Sequence, residues 1–308
     1  MICRRPPTRA GDHPHSGRQL LNRRVFLRST ILLPSTIDVS SALLHKFYRA
    51  EGLLRQLPAW TPTDPVDWWV PTVNDPFWKK TRQPLTGQLK FCHRVPTSGW
   101  SDHTFAEFAP NPRLQASLFR LSESDVDGFI RLLCAACAAL TQSDPGLRSV
   151  SVGNRGTDGS IVIFPHSSQL ESGLANLWKW LSDSRKPRVV RATVALCAVC
   201  NLHPFADGNG RTSRWLFTSL LDVGSDQDVG FYPLYEYFIR DQGTSLLCFR
   251  IAELCGDWDP LFCYIAEIFE AMSMTRLAAH VKTVARNGAY YPLGAIRPRP
   301  SARLTTGT

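Results

Sequence analysis

Long apolar runs are missing from this 308-residue chain. A membrane-spanning helix needs roughly 18–20 uninterrupted apolar residues, and the short run Ile31 to Leu33 stops at Pro34, with Asp38 soon after. Internal repeats are missing too, which excludes a solenoid or propeller read from the sequence. A disulfide framework is also lacking. The nine cysteines are odd in number and scattered, and they read as reduced thiols of an intracellular protein. Nor is there a polar excess. With 44% hydrophobic and 20% charged residues the chain can bury a sizeable core, which excludes a mainly disordered, collagen-like or coiled-coil protein.

Two Cys-x-x-Cys pairs, Cys134/Cys137 and Cys197/Cys200, match a zinc-ligand spacing on paper. Their surroundings are alanine-rich and apolar, without the glycine, lysine and turn residues of a zinc knuckle. A spacing of three puts both sulfurs on one helix face, where cysteine behaves as a small hydrophobe. The expectation is buried core. The segment Arg23-Arg24-Val25-Phe26-Leu27-Arg28 resembles a twin-arginine export signal. Asp38 spoils the apolar stretch that should follow, however, and no Ala-x-Ala site appears. The expected location is the cytoplasm, with secretion into another cell as the alternative.

The formal charge is +9, and its distribution matters more than its size. Residues 1–28 hold seven arginines and one aspartate, a net +6. Residues 271–308 hold six basic residues and no acid, another +6. Between them lie 22 basic and 25 acidic residues, a net −3. A nucleic-acid-binding body would concentrate positive charge on itself; here the basic excess belongs to the tails and says little about nucleic acid as a substrate, an unexpected partner.

Composition divides the chain. Residues 1–40 read as a flexible basic tail. Residues 41–121 comprise an N-terminal helix, Ser40 to Leu57, and a Trp/Pro-rich region. That region carries nine prolines and five of the nine tryptophans between residues 58 and 115. The prolines oppose long helices and the tryptophans oppose a solvated linker. The expectation there is irregular loops and short strands packed onto the rest. From Ser122 the pattern becomes helical, with Ser122, Ser124 or Asp125 able to cap a helix through Phe129 and Leu140. Arg148 to Phe164 reads as a β-hairpin turning at residues 154–159. Helices follow at Gln169 to Leu181, Arg188 to Leu202, Arg211 to Leu221, Tyr232 to Arg240, Ser245 to Cys255 and Pro260 to Leu277. Residues 271–308 read as a basic C-terminal tail with no element beyond Leu277.

The chemistry is concentrated between two of these helices, in His203-Pro204-Phe205-Ala206-Asp207-Gly208-Asn209-Gly210-Arg211-Thr212-Ser213-Arg214. Gly208 and Gly210 allow a tight path with backbone N–H groups turned inward. The helix that follows adds free donors and the positive end of its dipole, a ready anion site. Arg211 and Arg214 sit about one turn apart and can grip a polyphosphate. Asp207 is a lone carboxylate in a site built for anions, which suits a Mg²⁺ ligand. His203 is the one residue there that exchanges a proton readily near neutral pH. Phosphate cradle, metal carboxylate, arginine clamp and base together imply phosphoryl or nucleotidyl transfer. The bland alternative is a helix–turn–helix corner with a satisfied histidine.

These twelve residues resemble the signature of the Fic domain family, HPFx[D/E]GNGRxxR, at every defining position. The hairpin upstream resembles the family's flap, and Gly256-Asp257-Trp258-Asp259-Pro260-Leu261 resembles its segment before the last helix. The resemblance covers residues 122–270 and implies a mainly α Fic-type helical bundle with a β-hairpin flap, beside the irregular Trp/Pro-rich N-terminal region. It implies a protein adenylyltransferase that moves AMP from ATP to a Ser, Thr or Tyr hydroxyl of a target protein and releases pyrophosphate. His203 would be the catalytic base. Asp207 would hold Mg²⁺. Gly208, Asn209 and Gly210 would form the anion hole, Arg211 would bind the β- and γ-phosphates and Arg214 the γ-phosphate. Phe205 would anchor the loop, and the flap, residues 148–164, would dock the target by strand pairing.

The acidic residue and both glycines are retained, which by the same resemblance favours ATP over other donors. Alternatives are a Fic-fold transferase with another nucleotide or phosphate-containing donor, a deAMPylase, and a non-catalytic nucleic-acid- or protein-binding module. Many relatives carry an inhibitory helix ending in Glu-Gly or Glu-Asn. Glu51-Gly52 matches that ending, although Phe47 stands where Ser or Thr belongs, so Glu51 is a candidate inhibitory residue or else a solvent-facing helix glutamate.

Overall fold

A computed structural model describes residues 24–26, 39–57, 125–142, 146–155, 161–183, 185–222, 232–240 and 244–286. The Trp/Pro-rich region, with Trp60, Trp68, Trp69, Trp78 and Trp100, lies outside them. The described part is mainly helical. In chain order it contains β1 (Arg24–Phe26), α1 (Ser41–Gln56), α2 (Val126–Thr141), β2 (Gly153–Arg155), β3 (Ile161–Ile163), α3 (Leu170–Leu181), α4 (Arg188–Leu202), α5 (Asn209–Asp222), α6 (Leu234–Arg240), α7 (Thr244–Cys255) and α8 (Asp259–Arg286).

The centre of the bundle is α4. Alanine, valine and cysteine occupy most of its length, and Val189, Val190 and every residue from Ala192 to Val199 are buried. A helix that is apolar all round has no face to give to water and must be enclosed. Helix α5 folds back against α4 and buries Trp215, Leu216, Phe217, Leu220 and Leu221. On its other flank α2 packs against α5 and α3. Both helices are capped by side chains: the Ser40 hydroxyl accepts from Leu43 N at 3.2 Å and, of the three candidates for the second helix, Asp125 accepts through Oδ1 from Gly128 N at 2.7 Å. The stripe Leu43, Phe47 and Ala50 fixes α1 against α8. There Phe269 gathers Phe47, Tyr232 and Phe217 with ring centroids 4.5, 4.9 and 6.0 Å away.

Two elements differ from the sequence expectation. Helix α8 continues to Arg286, past Leu277, because helix already seated on the core propagates cheaply through residues of ordinary propensity. And residues 24–26, within the arginine-rich N-terminal region, form a strand. The sheet has the order β1-β3-β2. β2 and β3 form the expected antiparallel hairpin, Gly153 facing Ile163 and Arg155 facing Ile161. β1 lies parallel to β3 on its other edge, Arg24 facing Ile161 and Phe26 facing Ile163.

Candidate functional site

The motif loop joins α4 to α5, and its shape follows from three local facts. His203 ends α4 in the left-handed region, φ 52°, with its N–H donating to the Val199 carbonyl at 3.0 Å. Asn209 then clips the loop shut. Its Oδ1 accepts from Phe205 N at 2.9 Å and its Nδ2 donates to Phe205 O at 2.8 Å. The Asn209 side chain is therefore committed to the loop, and what it offers a ligand is its backbone N–H. Phe205 is buried beneath this clip.

Gly208 has φ 85°, and a Cβ there would stand 2.4 Å from Thr141 Cγ2 and 2.9 Å from Cys137 Sγ. Glycine is thus required twice, by conformation and by the close approach of α2. From it α5 begins: Thr212 N donates to Gly208 O at 2.9 Å. That leaves the N–H groups of Asn209, Gly210 and Arg211 without acceptors inside the helix. Over them lies Arg214. Its Nη1 is 3.1 Å from where a Gly210 Cβ would be, so the missing side chain lets the guanidinium rest against the start of the helix. Arg214 is only 7% exposed, with its guanidinium 4.7 Å from the Tyr235 ring. Arg211 donates to Leu140 O and to Asp207 Oδ2, each at 3.0 Å. Asp207 stands at the mouth, its side chain 83% exposed, with Oδ1 accepting from Gly208 N at 2.6 Å. The five groups expected to meet, His203, Asp207, the Gly208–Gly210 turn, Arg211 and Arg214, thus share one loop and one helix end.

His203 is seated by residues that the motif does not include. Arg148, buried at the base of the hairpin, donates through Nε to the His203 carbonyl at 2.7 Å and through Nη1 to Val150 O at 2.7 Å. Its Nη2 donates to the carbonyls of Pro165 and Leu202. Its backbone N–H reaches Pro204 O at 2.9 Å. One guanidinium therefore ties both ends of the hairpin to the loop. Phe164, directly after β3, stacks on the imidazole with ring centroids 3.9 Å apart. Behind Phe164, 5.9 Å from its ring, is Arg250, which donates to Asn201 Oδ1 at 2.6 Å and to Glu253 Oε2 at 3.1 Å. Burial, with Arg148 and Arg250 adding positive charge, lowers the imidazole pKa to about 4. His203 is consequently neutral at pH 7. With the ring proton on Nδ1, 3.4 Å from Cys200 O, the lone pair is on Nε2, the form a base requires. Burial likewise raises Glu253 to about 7. Only the position of Arg148 just before the first valine of the hairpin hinted at its role; Phe164 and Arg250 look like core and surface residues in the sequence.

The remaining candidates fall elsewhere. Glu51 is 3% exposed and accepts from Arg55 Nη2 at 2.7 Å. The reading of Glu51 as solvent-facing is corrected, since α1 lies with this face against the bundle. Arg55 also donates to Leu221 O, which puts the pair at the C-terminal end of α5, about 10 Å of helix beyond Arg214. Cys137 and Cys197 are buried, and Cys134 and Cys200 partly so, as packed helical residues. Burial holds the Cys197 thiol well above its ordinary range.

A neutral histidine at the head of an arginine-flanked helix N-terminus is an arrangement suited to holding phosphate groups and accepting a proton beside them. Within this chain, residues 121–221 match the model of the Fic/DOC family. Among solved structures it is similar to a Fic family protein from Desulfovibrio desulfuricans G20, at 17% identity over 84% of this chain and 78% of that one, with a TM-score of 0.49. It is similar also to Fic-1 (aa 134–508) from C. elegans, at 16% identity over 80% and 74%, TM-score 0.45. A Fic domain containing signaling protein from Bacteroides thetaiotaomicron VPI-5482 matches at 14% over 80% and 100%, TM-score 0.40. No curated protein matches the chain. Among the described residues no helix is long and apolar enough to cross a membrane.

Proposed function

We propose that this domain is a protein adenylyltransferase that moves AMP from ATP to a Ser, Thr or Tyr hydroxyl of a target protein. The observation that carries the reading is His203. It is a neutral, desolvated imidazole fixed by Arg148 and Phe164 at the head of the Gly208–Gly210 turn. The target hydroxyl gives its proton to His203 Nε2 as its oxygen forms a bond to the α-phosphorus. The bond from that phosphorus to the β-bridging oxygen breaks, and pyrophosphate leaves with the electron pair. The N–H groups at the start of α5 bind non-bridging phosphate oxygens, where charge builds up. Arg214, already over the helix start, and Arg211, held by Leu140 O and Asp207, bind the outer phosphates.

A single exposed carboxylate beside a phosphate cradle fits magnesium, which takes one or two protein carboxylates and fills its shell with water and phosphate oxygens. Among the described residues no three His, Cys, Asp or Glu side chains form a fuller cage. Asp207 would hold the ion, which when bound neutralises phosphate charge. The test is incubation of the full chain with α-³²P-labelled ATP, Mg²⁺ and cell lysate. Wild type should label proteins, and His203→Ala should lose labelling by about 10²–10⁴-fold, the usual contribution of a general base. Equal labelling by both refutes the reading. Competition among the four nucleoside triphosphates identifies the donor.

A further inference from the structure

Each edge of a strand can pair with one neighbour at a time. β3 is paired on one edge with β2 and on the other with β1, the chain's own residues Arg24–Phe26. β3 is also the strand next to the chemistry. It runs from Ile161 to Ile163 directly into Phe164, which lies on the His203 ring. A segment paired in parallel along this edge runs the same way, and β1 ends with Phe26 opposite Ile163, one residue short of Phe164. The edge that would lead an extended peptide to the base is filled from within.

We propose that β1 is an intramolecular stand-in for the target, and that it must leave β3 before an extended target segment docks in parallel register beside His203. This rests on the adenylyltransferase reading only for what the docked segment then undergoes. Strand addition supplies the affinity through the backbone, so residues unrelated to the target in side chains can hold its place. At three residues β1 is short enough to be displaced. Being tethered, it competes at the high effective concentration of an intramolecular ligand.

The test uses the full chain and the double variant Val25→Pro/Phe26→Pro. Consecutive N–H groups of a strand point to opposite sides, so one of the two prolines must remove a donor facing β3. The probe is a fluorescein-labelled peptide of residues 22–28, Asn-Arg-Arg-Val-Phe-Leu-Arg, read by anisotropy. Amide exchange across residues 161–164 and labelling of lysate proteins from ATP are read alongside. The double variant should bind the peptide about tenfold or more tightly than wild type. It should also exchange faster at 161–164 and label more protein. Equal peptide binding by the two proteins, or unchanged exchange, overturns the proposal. So does tighter peptide binding with no gain in labelling while wild type labels. Peptide binding and exchange as expected, with no labelling by either protein, leaves the strand's role standing and refutes the adenylyltransferase reading instead.

Discussion

The two ends of α5 present the same helix dipole with opposite signs, and the protein treats them differently. At the C-terminal end the Leu221 carbonyl accepts from Arg55 at 3.3 Å and from Arg188 at 3.0 Å. The negative pole is thus answered from inside the chain, by cations where the dipole favours them. At the N-terminal end the N–H groups of Asn209, Gly210 and Arg211 have no acceptor within the helix, and two cations, Arg211 and Arg214, stand there against the single carboxylate of Asp207. Adding cations at a positive pole disfavours the helix unless an anion comes between them. One end is completed from within the chain, while the other keeps an excess of positive charge that suits the proposed phosphate ligand.

That contrast can be broken or sharpened. The largest effect is the loss of transfer in His203→Ala described above. Next is the protonation of His203 itself. Because burial and two arginines disfavour the imidazolium, the imidazole of the free protein should titrate near pH 4 by NMR rather than near 6.5. The folded state then binds fewer protons than the unfolded one between those values, so this residue's contribution to stability is present above pH 6.5 and is lost as pH falls toward 4. Titration at the ordinary value would mean an open, hydrated ring.

Gly208→Ala should lower stability by about 2–4 kcal/mol, from a side chain forced into the left-handed region and overpacked against Thr141 and Cys137. Thermal unfolding measures it, and nucleotide affinity should fall in parallel. At the other pole Arg55→Met should lower stability by about 2–3 kcal/mol, because Glu51 is left as a buried, unpaired carboxylate. Glu51→Gln in the same chain should recover part of this. The smallest effect is Arg188→Met, about 0.5–1.5 kcal/mol for one lost hydrogen bond. Neither change at this pole should alter nucleotide binding measured by calorimetry. If either does, the two ends of α5 are coupled, and Glu51 acts on the cradle through the helix.

The helices were legible because their periodicity and caps are local. The span Arg188–Leu202 and the caps Ser40 and Asp125 can be read from residues no more than four apart. The motif loop was legible for a related reason, since its donors, arginines, carboxylate and base lie within twelve consecutive residues. Beyond its place at the start of the hairpin the role of Arg148 was not legible, because it lies in carbonyls 17 and 54–55 residues away. Asn209 shows a finer limit. Its presence in the loop was plain, but that its side chain closes the loop appears only once Phe205 is placed beside it. The parallel pairing of Arg24–Phe26 with β3 spans over 130 residues, and these three residues, set among the arginines of the N-terminal region, give no local sign of a strand.

By itself the sequence determined the residue types at the candidate site, the helix that presents them and the concentration of donors and arginines there. These depend on spacing along the chain, which covalent geometry converts directly into neighbours on a helix or in a turn. The tertiary structure decided how His203 is held neutral, through the Arg148 clamp, the Phe164 ring and the desolvation of the imidazole. It decided that Gly208 cannot carry a side chain, because α2 comes within contact of it. It also decided that β3 is already paired with the chain's own N-terminal strand. These depend on distance through space, which burial, packing and long-range pairing set, and which no short stretch of sequence contains.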